Sequence, residues 1–188
     1  MSTREGLIES TRALLWERGY VGTSPKSIQQ RAGAGQGSMY HHFAGKQDLA
    51  LAAICRTAED LRAGADAQLS AAGTAYTRIA TYLRRERDVL RGCPIGRLTQ
   101  DPDVMVTPAL RTPIEETFTW LRGRLTQVVQ EGLDRGELDP TLDPAATATT
   151  IVAVLQGGYV LARADDTRDP FDQAVAGILG LLAAHTVA

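Results

Sequence analysis

The chain has 188 residues but only two cysteines, Cys55 and Cys93, and three histidines, His41, His42 and His185, and its aromatic content is 5%. Each shortage closes off a class of function. Two cysteines cannot frame a disulfide scaffold, and they fit a reducing compartment. The histidines accompany no HExxH, CxxC, GxSxG, P-loop or GxGxxG, so enzyme and metal readings have no chemistry to rest on. His41 and His42, as neighbours on a helix, are expected to point to different sides and not to share a metal. No stretch approaches eighteen uninterrupted apolar residues, and the first ten, MSTREGLIES, lack the apolar centre of a signal peptide. The expectation is a cytoplasmic protein with no cofactor, no metal site and no membrane partner, which is not an enzyme.

What is present is ordinary globular composition, 44% apolar and 22% charged. The net charge of -2 is unevenly spread. Residues 1–50 carry Arg4, Arg12, Arg18, Lys26, Arg31 and Lys46 against Glu5, Glu9, Glu17 and Asp48, a surplus of +2, which leaves -4 on the remainder. A basic end on an acidic body suits a small DNA-binding head joined to a regulatory body.

Apolar residues recur throughout at helical spacing, with no alternation of strand type. Helices are expected over residues 4–18, 24–32, 36–43, 46–72, 75–90, 117–133, 145–163 and 171–184, with a loop or broken helix start over 101–113. The fold class is therefore all-α, with about nine helices in two domains, 1–46 and 47–188. The charged run 84–91 reads as a solvated face, because Glu86 and Asp88 interrupt its arginines.

The organising stretch is Thr23 to Leu49. Ser24-Pro25 starts a helix by a mechanism, since the serine oxygen can accept an orphan N–H and proline suits the first helical position. Gly33-Ala34-Gly35 then breaks that helix, and a second short one follows whose polar side holds Gln36, Ser38, Tyr40, His41 and His42. Two short helices joined by a glycine-containing turn make a helix-turn-helix, whose second helix enters the DNA major groove. Gly37 and Ser38 allow close backbone approach, while Met39 and Phe43 form the apolar edge that docks the reading helix.

Tyr40-His41-His42-Phe43 followed by Lys46, Asp48 and Leu49, together with Gly19-Tyr20, Thr23, Ile28, Ala32 and Gly33, resembles the signature of the TetR family of transcriptional repressors. Gly35 departs from it where a Ser or Thr cap is usual, and Pro25 where a β-branched or polar residue is commoner. Gly92-Cys93-Pro94-Ile95-Gly96 is similar to an element of the subgroup with LmrA/YxaF-like C-terminal domains. The resemblance implies a fourth helix acting as a lever between head and body, a phosphate-contacting Lys46, and homodimers closed by the last two helices. Ser24, Lys26, Ser27 and Lys46 are the expected phosphate contacts, with Gln36, Gly37, Ser38, Met39, Tyr40, His41 and His42 at or near the bases.

In the body, residues 145–163 are apolar almost all round and must be covered on both sides. Val154, Gly157, Gly158, Leu161, Val175, Ile178 and Leu182 are the expected dimer contacts. An apolar or aromatic effector is expected between the helices, against Tyr76, Cys93, Met105, Phe118, Trp120, Leu121, Gln156 and Tyr159. The reading is a repressor released from a pseudo-palindromic double-stranded DNA operator by a small molecule. The alternatives are an activator or a regulator without an effector, a protein-interaction module that borrows a helix-turn-helix, and a small-molecule enzyme with an all-α body.

Overall fold

The computed structural model describes residues 2–187, and among them every regular element is helical. The helices are α1 (Thr3–Arg18), α2 (Pro25–Ala32), α3 (Gln36–His42), α4 (Lys46–Leu69), α5 (Ala75–Arg84), α6 (Pro102–Val106), α7 (Pro108–Asp134), α8 (Pro144–Asp165) and α9 (Asp169–Ala183), with one 3-10 turn at Gly96–Gln100. They form two compact units. The first takes in residues 1–60 and 93–117, and the second residues 61–92 and 118–188. A domain boundary at residue 46 marks the start of α4, but that helix runs on to Leu69.

Helix starts follow the capping chemistry visible in the sequence. Ser24 and Asp143 each accept a backbone N–H ahead of a proline, from Ser27 at 3.1 Å and from Ala146 at 2.7 Å. Two boundaries differ from expectation. The loop expected over 101–113 is largely helical, because Asp101 caps α6 and Pro108 opens α7, with Pro113 tolerated in the second turn. The helix expected to reach residue 90 stops at Arg84, where Arg85 turns extended. There the Arg87 guanidinium donates to the carbonyl oxygens of Tyr82, Leu83 and Arg85 at 2.7, 2.7 and 2.9 Å, taking up acceptors that another helical turn would have used. Burial pushes the Arg87 pKa down. Part of the run read as a solvated face is therefore folded inward.

In the first unit Leu7, Leu14 and Leu15 of α1, Ile28 of α2, Met39 of α3 and Leu49 and Ile54 of α4 are buried, together with Leu98, Val104 and Leu110. In the second unit α8 lies along α9, where Gly158 lets Phe171 approach so closely that a Cβ there would sit 3.1 Å from its ring. Tyr159 and Phe171 stack with ring centroids 4.8 Å apart. Only one face of α8 is covered in this way; by length and composition alone this helix could cross a membrane. The segment after α7 pairs with the last residues: Asp139 donates to the His185 carbonyl at 2.8 Å, and Val187 to the Glu137 carbonyl at 3.0 Å.

Candidate nucleic-acid interface

Helices α2 and α3 are built by opposite devices. A reciprocal capping box starts α2, with the Ser24 hydroxyl accepting from the Ser27 N–H and the Ser27 hydroxyl accepting from the Ser24 N–H at 3.0 Å. Gly33 ends it in the left-handed region at φ 62°, where the missing Cβ removes the penalty. By contrast α3 starts at Gly35 with no side-chain cap. It is held from inside instead: Met39 is fully buried, and Phe43, at the C-cap, is buried as well.

That anchoring fixes which side of α3 faces water. Gln36, Gly37, Tyr40, His41 and His42 are exposed, Tyr40 by half, and Ser38 is half-buried. Met39 leaves the set of base-reading candidates, because its whole side chain lies in the core, where the Gln29 amide approaches its sulfur at 3.5 Å. The imidazoles of His41 and His42 do not diverge as expected of helical neighbours; they meet edge to face with centroids 4.9 Å apart. No group of three His, Cys, Asp or Glu side chains among the described residues converges as a metal site. On α2, Lys26 and Ser24 are exposed and Ser27 half-buried, with both hydroxyls already committed to the cap.

Lys46, at the first turn of α4, is half-buried with its ammonium 3.9 Å from the centre of the Tyr20 ring. Burial lowers its pKa, opposed by the charges of Asp101 and Asp103. The Arg4 guanidinium lies 5.4 Å over the Phe43 ring.

Sequence reasoning missed Asp101, the buried acid that fixes the turn after α1. Its Oδ2 accepts the Tyr20 and Val21 N–H groups at 2.7 and 2.9 Å, while Oδ1 accepts from Asp103 and Val104 at the start of α6. Gly19 is required beside it: φ is 73°, and a Cβ would sit 2.8 Å from the carboxylate. Arg97 adds a bond to the Trp16 carbonyl. The partners are some eighty residues apart in sequence, so the only local hint was Asp101-Pro102, which reads as a helix start.

The other expected sites are dispersed. Of the eight effector candidates, Tyr76 lines a cleft of about 470 Å3 along α5; none of them lines a smaller cleft of about 200 Å3 beside α9. Cys93 and Met105 belong to the first unit; in the second, Leu121 and Tyr159 are buried and Phe118, Trp120 and Gln156 are half-buried. The expected dimer contacts also divide. Gly158, Val175, Ile178 and Leu182 are buried within the chain itself. Gly157 and Leu161 are exposed and Val154 is half-buried. The outward apolar residues are instead Val160, Leu161 and Leu181, 65%, 54% and 68% exposed, with Gly157, Gly177 and Gly180 on the same helices.

Residues 7–53 match the family described as bacterial regulatory proteins, tetR family, and residues 68–178 match the tetracyclin repressor-like C-terminal domain. The transcriptional repressor DhaR of Mycobacterium sp. (strain GP1) is 25% identical over 90% of this chain and 87% of its own. A TetR transcriptional regulator from Chloroflexus aurantiacus superposes with a TM-score of 0.86 at 28% identity, covering 98% of this chain and 96% of that one. The regulator FadR of Bacillus subtilis, solved in complex with stearoyl-CoA, shares the fold with a TM-score of 0.73 at 18% identity, over 95% and 96% of the two chains.

Proposed function

The chain belongs to the TetR family of bacterial transcriptional regulators, which are DNA-binding proteins and not enzymes, and from that premise we propose that it is a homodimeric repressor released from its operator by a small molecule. The carrying observation is α3: a seven-residue helix in which Met39, and Phe43 at the C-cap, are buried while Gln36, Tyr40, His41 and His42 are exposed. A polar edge of this kind can donate to and accept from base edges, and it has no core role that would explain it. Gln36, Ser38, Tyr40 and His41 read bases, with Gly37 and His42 beside them. Lys26, Lys46, Ser24 and Ser27 meet phosphates, which fix register without reading sequence.

Six or so reading groups specify half a site, and a second copy supplies the rest. The stripe of Gly157, Val160 and Leu161 on α8 with Gly177, Gly180 and Leu181 on α9 is the face we assign to that copy, since glycines let backbones approach and the exposed leucines and valine supply the apolar area. The two α3 helices then occupy successive major grooves about 34–36 Å apart. An effector that binds the DNA-incompetent arrangement more tightly shifts the population toward it and releases the operator. The stearoyl-CoA held by FadR supports a small-molecule role for a body of this fold; here the effector has an apolar or aromatic body. The protein works in the cytoplasm, with its DNA.

Selection from randomised duplex pools tests the reading. The expected result is a pseudo-palindrome whose half-sites are about one helical turn apart or a multiple of it; recovery of no preferred sequence would remove the repressor assignment. On the selected operator, Lys46→Ala weakens binding to all sequences alike and lowers the slope of log affinity against log salt by about one.

A further inference from the structure

The 470 Å3 cleft of the second unit has the volume of a small-ligand site, and its wall is unusual. Tyr76, Ala80 and Arg84 line it from one face of α5, with Arg85 just past the helix and Gln68 from the last turn of α4. Neither Arg84 nor Arg85 forms an ion pair among the described residues. The one acid between residues 84 and 87, Glu86, is engaged by Arg168 at 3.2 Å. Arg87 adds a third guanidinium, already committed to backbone carbonyls. The Gln68 amide oxygen is buried and accepts no hydrogen bond, which native interiors rarely leave so. Gly64, one turn of about 5.4 Å before Gln68 on α4, has no side chain to intervene, and a Cβ there would come within 3.4 Å of Arg85 Nη1. Two guanidinium forks outside any ion pair, that of Arg85 lying 5.0 Å over the Tyr82 ring, and an orphan acceptor therefore share one small cleft.

We propose that this cleft holds the acidic end of the effector: a small organic carboxylate clamped by Arg84 and Arg85, whose hydroxyl or N–H donates to the Gln68 amide oxygen while its body lies on Tyr76 and Ala80. Guanidinium forks match a carboxylate in two parallel bonds, and the orphan oxygen selects a ligand that carries a donor at a distance from its acid. A nucleic-acid backbone is the poorer occupant, because it brings no donor for a buried oxygen and because the chain beyond residue 50 is net acidic. The inference rests on the effector reading above.

The test uses the full-length protein, calorimetric titration and operator release, with 4-hydroxybenzoate as probe against 4-hydroxybenzamide, benzoate and inorganic phosphate. The carboxylate is expected to bind saturably, tenfold or more tighter than the amide and tighter than benzoate. Arg84→Gln with Arg85→Gln should abolish that preference, Arg84→Lys with Arg85→Lys should retain part of it, and Gln68→Leu should erase the advantage of the hydroxyl. Equal binding of acid and amide, no binding of any probe, or a preference for phosphate over carboxylate overturns the carboxylate site. So does a loss of DNA affinity with a shallower salt slope in the double glutamine variant, which would make the run a backbone contact. Binding without release of the operator leaves the site standing and removes the effector reading; release by an uncharged ligand alone does the reverse.

Discussion

The α2–α3 surface and the second unit spend their charged side chains differently. In the second, arginines close helix ends: Arg78 and Arg124 both donate to the Leu69 carbonyl that ends α4, at 2.7 and 3.3 Å, and Arg87 takes the carbonyls that end α5. Arg78 and Arg124 are each also tied to an acid, Glu131 at 2.6 Å and Asp66 at 3.0 Å. Cations at helix C-termini complement the macrodipole, so the charge is spent on internal order. In the first unit the reading surface leaves Lys26, His41 and His42 exposed, and α3 has neither a side-chain cap nor a charged clamp. That surface takes its order from apolar anchoring beneath.

The comparison can be broken most sharply at the anchor. Met39→Ala removes a fully buried side chain from a helix that has no side-chain cap, and about 2–5 kcal/mol of stability should go with it. Urea unfolding followed by a probe in each unit checks this; equal losses in both would show that the anchor is not local to the head. Next in size is Asp101→Asn, which keeps the volume but replaces one acceptor with a donor facing the Tyr20 and Val21 N–H groups. Leaving a buried donor unpaired costs about 1–3 kcal/mol, read as a lowered Tm, and an unchanged Tm would mean that the turn after α1 is held by other contacts.

For the second unit the sharper probe is pH. The Arg78 hydrogen bond holds the Glu131 carboxyl below the usual glutamate range. A depressed folded pKa gives stability that is present above the unfolded value and lost as pH falls through the folded one, because the unfolded chain binds the proton first. Glu131→Gln should flatten stability against pH in that acidic window by a fraction of a kcal/mol, discounted because the carboxylate is partly exposed. An unflattened curve would assign the acid sensitivity to another group. Smallest is Gly35→Ser: the backbone there is already extended at φ -72° with open space around a Cβ, so a serine can cap α3 and add a few tenths of a kcal/mol. A loss instead would show that α3 needs glycine for a reason other than capping.

The legible parts of the fold are those whose causes are local. Ser24-Pro25 and Asp143-Pro144 announce helix starts because a cap needs only three residues, and the apolar spacing of Met39 and Phe43 announces the docked edge of α3. The same spacing could not tell which apolar residues of α8 and α9 meet each other and which face out. A helix that is apolar all round has no polar face to fix its rotation, so spacing alone does not foretell that Val175 and Ile178 are buried within the chain. Arg87 was read with its charged neighbours because nothing in a run of alternating charge marks the one side chain that turns back onto carbonyls. Residue type alone singles out eight effector candidates, and of these Tyr76 lines the cleft along α5.

Asp101 also bears on how the protein can be cut and spliced. The contiguous stretch recognisable as a DNA-binding module ends near residue 53, and a protein engineer would transplant it at that boundary. A graft made so would leave behind the carboxylate that receives the Tyr20 and Val21 N–H groups and the guanidinium that reaches Trp16. The transferable part is discontinuous, and a working chimera has to carry residues 93–117 along with the first sixty.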